Sequence, residues 1–242
     1  MADETSGRQQ SIAKSEPFTD LLEEVESFLT SYYGFDPLTT ASHFLLEKEL
    51  VSESLVTSEN EAPRAAVCLQ EPSPESADDQ QELFLGIYFE ADLVAQVLSD
   101  NPLQSLNLKN LDAFCVLIEE LSHFHLIFQR ALQNREVSQL ELEWQGEVDK
   151  FLFSAIVLLQ QQGNPHLHQL KRVLFDSPEI VNHERYEAAN KLAAQFWNGA
   201  ISKGVGEKIC LTSDYFREIM RVNYHKPLQE TVPFTAEKKL FY

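Results

Sequence analysis

"LDAFCVLIEELSHFHLIFQRALQNREVSQLELEWQGEVDKFLFSAIVLLQ", residues 111–160, reads as two long helices separated by a short break. In its first half Phe114, Leu117, Ile118, Leu121, Phe124 and Phe128 recur at three- and four-residue steps, the spacing that lines up one buried stripe on a helix. The pattern breaks at Asn134-Arg135. Ser138 then opens the second helix: in "SQLE" the hydroxyl is expected to cap a free backbone N–H while Glu141 reaches back to the cap residue. Trp144, Val148, Phe151, Leu152 and Ala155 supply the apolar face of this helix, and "GNP" ends it after about Gln162. A link of only a few residues makes the helices 109–133 and 138–162 antiparallel neighbours.

Residues equidistant from the turn then lie at equal height. Counting from Arg135, His123 is expected to meet Glu147 and Glu120 to meet Lys150, while Arg130 reaches Glu141 or Glu143. Gly146, in mid-helix, costs about 1 kcal/mol relative to Ala. Such a glycine implies that something approaches closely there. His125 lies on the flank of the buried stripe and is expected to be a hydrogen-bonded histidine of the core edge, not a ligand.

Glu120 and His123 stand three apart and share a face. E-x-x-H on one bundle helix opposite a carboxylate on the next is half of the carboxylate metal pattern, and its oxygen and imidazole donors suit iron, manganese or zinc. "HERYE" (183–187) could add His183 and Glu187 from a third helix, giving Glu120, His123, Glu147, His183 and Glu187 as candidate ligands of a divalent metal. No second E-x-x-H completes the pattern, and Glu187 occupies the place of the second histidine in the zinc-protease motif. The competing expectation is a buried polar network in which each charge is paired and helix register is fixed.

The rest of the chain is organised around this hairpin. Residues 1–16 are polar and expected to be disordered; 17–227 are expected to form a single globular domain, followed by a tail over 228–242. Helices are expected at 19–33 (capped by Thr19, closed by Gly34), 166–175 (with Pro165 in its first turn), 180–203 and 213–225 (capped by Ser213), and a short one from Asp92. Residues 39–56 are ambiguous. "RAAVCLQ" (64–70) and "LFLGIYF" (83–89) are short, rich in β-branched and aromatic residues, and bounded by turn compositions, so they read as an antiparallel strand pair. The fold class is therefore α+β, predominantly helical: an antiparallel helix bundle with a small β-hairpin.

With 242 residues the chain can bury a sizeable core. The net charge of −19 is concentrated in residues 1–100, which carry 4 Lys/Arg against 21 Asp/Glu. Such a field repels nucleic acid and anionic membranes and suits solubility or a protein partner with a basic surface. Three distant cysteines with no C-x-x-C, no apolar leader and no apolar run near ~20 residues lead us to expect a cytoplasmic protein. "KGVGEK" (203–208) meets no phosphate-loop spacing and reads as a helix stop, and "PHLH" (165–168) as surface histidines. No catalytic pattern is complete. The first expectation is thus a regulatory or partner-binding module without catalytic activity of its own, binding no cofactor. The alternative is a metal-dependent enzyme, of oxidase or hydrolase type, with its site between the long helices.

Overall fold

The computed structural model describes residues 14–35, 39–48, 50–51, 63–70, 84–176, 184–204 and 211–225. Most of the N-terminal segment, the acidic connections around 57–62 and 71–80, His183 and the tail 228–242 lie outside the described residues. Among those described, seven helices and one two-stranded antiparallel sheet make an α+β fold dominated by helix.

The helices are α1 (Glu16–Tyr33), α2 (Ala91–Ser99), α3 (Leu111–Leu132), α4 (Gln139–Gln162), α5 (Leu167–Phe175), α6 (Glu184–Ser202) and α7 (Asp214–Tyr224). Helix α1 starts earlier than the sequence suggested. Ser15 takes the cap position and Pro17 fills the first turn, where its missing N–H costs nothing. The Thr19 hydroxyl is already inside the helix and donates to the Ser15 carbonyl at 3.1 Å. Gly34 closes α1 in the left-handed region at φ 70°, and Gly163 closes α4 at φ 71°. Pro165 falls just outside α5; His166, at φ 45°, turns the chain into it.

Ser138 Oγ accepts the Glu141 N–H at 3.1 Å, as its motif requires. The Glu141 side chain does not return to the cap. Its carboxylate is taken by Arg130 at 2.7 Å, and Arg130 also donates to the Tyr224 carbonyl at 3.0 Å, clamping the end of α7 onto the α3–α4 turn.

The α3–α4 pair is the centre of the molecule. Helix α6 packs on α4 from the far side, with Trp197 against Phe151 (ring centroids 4.5 Å apart) and Phe196 edge-on to Trp144. Strands β1 (Ala65–Gln70) and β2 (Phe84–Phe89) pair from Ala65↔Phe89 to Gln70↔Phe84 and lean on α3, the support an isolated hairpin needs in water. The ambiguous stretch after residue 39 becomes a 3₁₀ turn, Ala41–Phe44, followed by a single parallel bridge, Leu45↔Ile87; Leu46 N–H donates to the Ile87 carbonyl at 2.8 Å. Gly86 is what lets that segment in, because a Cβ there would lie 2.4 Å from a Leu46 methyl.

Two buried polar ties hold α1 to the pair. Glu26 accepts from His125 Nε2 (2.8 Å) and from the Ala41 N–H (2.9 Å), so His125 is the hydrogen-bonded core histidine anticipated. Asp149, fully buried on α4, accepts from the hydroxyls of Ser122 (2.6 Å) and Tyr33, and from the Gln145 amide (3.0 Å). Burial pushes its carboxyl up to about 6 despite those three donors.

Candidate metal centre

Beside the Ser122–Asp149 tie, at the same level of the helix pair, α3 presents Glu119, Glu120 and His123, and α4 presents Glu143, Gly146, Glu147 and Lys150. The buried stripes on either side hold the two helices close, and Gly146 leaves the hollow that the histidine fills. A Cβ at position 146 would lie 3.1 Å from His123 Nε2 and 3.2 Å from Glu119 Cγ. The unfavourable mid-helix glycine thus has its close-approach reason.

Around that hollow, one carboxylate oxygen each from Glu119 and Glu143 and one ring nitrogen of His123 lie within 4.8 Å of one another. His123 Nε2 stands 3.9 Å from Glu143, and Nδ1 stands 3.9 Å from Glu120 on the other side. Neither His123 Nε2 nor Glu120 Oε2 has a hydrogen-bond partner, although both atoms are buried. Two cations border the group. Lys150 Nζ bridges Glu119 at 3.1 Å and Glu147 at 2.7 Å, and Arg185 of α6 approaches Glu143 at 3.4 Å.

The electrostatics follow from four carboxyls crowded into a poorly solvated seam. Burial, then the charges of Glu119 and Glu143, push Glu120 up to about 8. Burial and Glu119 push Glu143 up to about 7, with Arg185 and Lys150 pulling the other way. Glu147 is raised by burial against the pull of Lys150. For Glu119 burial acts upward too, but Lys150 and His123 outweigh it and hold the group below the ordinary carboxylate range. Burial lowers His123, so its imidazole is neutral at pH 7 and offers a lone pair.

The structure therefore brings together Glu120 and His123 as the sequence suggested, but rearranges their partners. His123 faces Glu143 instead of Glu147, and Lys150 meets Glu119 instead of Glu120. Equal-height counting gave the level along the seam, but not the rotation about each helix. Glu147 is turned by about 100° from Gly146, and its carboxylate is committed to Lys150. Glu187 is exposed on α6 and is not part of the converging group. His183 lies outside the described residues. Glu119 and Glu143 were missed; the signals were Glu119 four residues before His123, and Glu143 four before Glu147.

The donors suit a metal chemically. Two carboxylates and a neutral imidazole are hard and borderline ligands, and a three-residue set leaves coordination positions open for water or substrate.

No family model matches the chain, and no curated protein or solved structure matches it either. No helix among the described residues is long and apolar enough to cross a membrane.

Proposed function

We propose that the protein binds a divalent cation of the manganese, iron or zinc class between α3 and α4, and that this ion is the centre of a metal-dependent activity of hydrolase or oxidase type. The observation that carries the reading is the convergence of Glu119, His123 and Glu143 around the hollow opened by Gly146. Glu119 and Glu143 would supply oxygen and His123 nitrogen, with Glu120 beside them as the spare carboxyl. When bound, such an ion polarises an ester or amide carbonyl and lowers the pKa of a water. The chain's own contribution is to seat the ring of His123 between the Glu120 side chain and the space left by Gly146. Glu120, whose carboxyl is raised in the metal-free chain by burial and by Glu119 and Glu143, is the group beside the ligands that could carry a proton.

Lys150 and Arg185 favour a second reading. They give the cluster its own cations, so the same residues can serve as an internal tie between helices in a module without catalytic activity. In that reading the protein is cytoplasmic, and the acidic residues of 1–100 engage a partner with a basic surface.

The two readings separate on elemental analysis of protein purified without a metal-affinity tag, next to its His123→Ala variant. Near-stoichiometric metal that disappears in the variant supports the metal centre. Absence of metal from both, with the variant only less stable, overturns it in favour of the tie.

A further inference from the structure

We infer that Lys150 is the built-in second cation of this centre: its ammonium occupies the position between Glu119 and Glu147 that a second metal ion would take, so the site holds one metal ion and not two. The inference rests on the proposed metal centre and assigns its nuclearity.

Four carboxyl side chains, Glu119, Glu120, Glu143 and Glu147, line one seam between two antiparallel helices together with a histidine. Bundle proteins that hold a pair of ions use four such carboxylates with two histidines; this seam has the four carboxylates and one histidine. Here the carboxylates are divided. Lys150 Nζ stands 3.1 Å from Glu119 Oε2 and 2.7 Å from Glu147 Oε1, bridging a residue of α3 to one of its own helix. Its side chain is only 14% exposed, so the charge acts in a poorly screened setting. The ammonium has three donors, and it uses two of them on these carboxylates. Glu147 is consumed by this bridge. What is left on the other side of Glu119 is one compartment: the Glu119 carboxylate, His123, Glu143 and the unpartnered Glu120 oxygen. A second divalent ion would have to sit against Lys150 and would be repelled by it.

The test is titration of the full chain with Mn²⁺, reading stoichiometry by calorimetry and nuclearity by electron paramagnetic resonance. The parent protein is expected to take one ion with an uncoupled six-line spectrum. Lys150→Gln frees Glu119 and Glu147. It is expected to bind the first ion at least about tenfold more tightly, and to admit a second ion with a spin-coupled spectrum. Lys150→Arg keeps the charge and is expected to stay at one ion. Because Lys150→Gln also leaves two carboxylates unpaired and can impair folding, Glu147→Gln provides an independent reading. It removes only the carboxylate given to Lys150 and should leave Mn²⁺ affinity within about threefold.

Two ions in the parent, one ion of unchanged affinity in Lys150→Gln, or a large loss of affinity in Glu147→Gln would each overturn the assignment while leaving the metal centre in place. Failure of every form to bind Mn²⁺ would overturn both. Binding by Lys150→Gln alone would overturn both the metal-dependent function of the parent and the assignment of one ion to its site.

Discussion

A Cβ placed on Gly146 would lie 3.1 Å from Nε2 of His123. The glycine and the histidine are therefore one feature: the ring fills the space that a side chain at 146 would claim. This sets two effects of Gly146→Ala against each other. Alanine gains about 1 kcal/mol of helix propensity, while the methyl forces His123 and the Glu119 stem to give by a few tenths of an ångström. Global stability is expected to change by no more than about 1 kcal/mol in either direction. Metal affinity is expected to fall by about tenfold, because ligand geometry tolerates less displacement than packing does. Chemical denaturation and Mn²⁺ calorimetry on the same preparation separate the two. Lower stability with unchanged affinity would show that the hollow serves only packing.

The raised carboxyls give the metal-free protein a characteristic pH response. Glu120 at about 8 and Glu143 at about 7 bind their protons more tightly in the folded state than in the unfolded chain. Stability is then fully present at low pH and is lost as pH rises through those values. Below about 6.5 the lowered pKa of His123 works in the opposite direction, so the clean window is pH 6.5 to 8. There the protein is expected to lose stability, and Glu120→Gln to recover about 2 kcal/mol of it. Melting curves in a chelating buffer at pH 6.5, 7.2 and 8 measure this. A midpoint that rises across the window, or a Glu120→Gln curve parallel to the parent, would contradict the assignment.

Much of this architecture was legible in the chain because it is written locally. The stripe from Phe114 to Phe124 and the Ser138 and Ser213 caps depend on neighbours within one or two turns, and so do the glycine stops at 34 and 163. The site was legible only in part. Glu120 and His123 belong to one helix and were read correctly as sharing a face, whereas their partners depend on the rotation of α4 about its axis, which a loop length does not encode. Asp149 gave no sign of being buried, since one of its donors, Tyr33, comes from 116 residues away. Nothing in the sequence around Glu26 marks it as buried. Only the fold shows it accepting from His125, 99 residues later.

Gly86 offers a test of how the 39–46 segment joins the sheet. With 2.4 Å between a Cβ at 86 and the Leu46 methyl, Gly86→Ala must push out Leu46, and with it the Leu46 N–H to Ile87 carbonyl bond. A loss of about 1–3 kcal/mol is expected. Shortening the obstructing side chain should restore room, so the double variant Gly86→Ala/Leu46→Ala is expected to be more stable than the sum of the two single losses by about 1 kcal/mol. Strict additivity in denaturant melts would mean that the strand tolerates a side chain at 86 without disturbing Leu46.

The Glu26–His125 contact carries the last prediction, because a buried hydrogen-bonded group is costly to strand. Glu26 and His125 are 3% and 4% exposed, and the same carboxylate also holds the Ala41 N–H through both oxygens, at 2.9 and 3.1 Å. Glu26→Ala removes the acceptor from an imidazole and from a backbone donor at once. With two buried donors left unsatisfied, a loss of about 2–5 kcal/mol is expected. His125→Ala leaves Glu26 with its backbone partner and should cost less, since the carboxylate keeps one of its two supports. In the double variant the stranded imidazole is gone, so its loss should fall short of the sum by about 1–3 kcal/mol. Hydrogen exchange adds a local readout: the Ala41 amide should lose protection in Glu26→Ala and keep it in His125→Ala. If Ala41 exchanges equally in both, the 3₁₀ turn is held by its packing on α1 and not by Glu26.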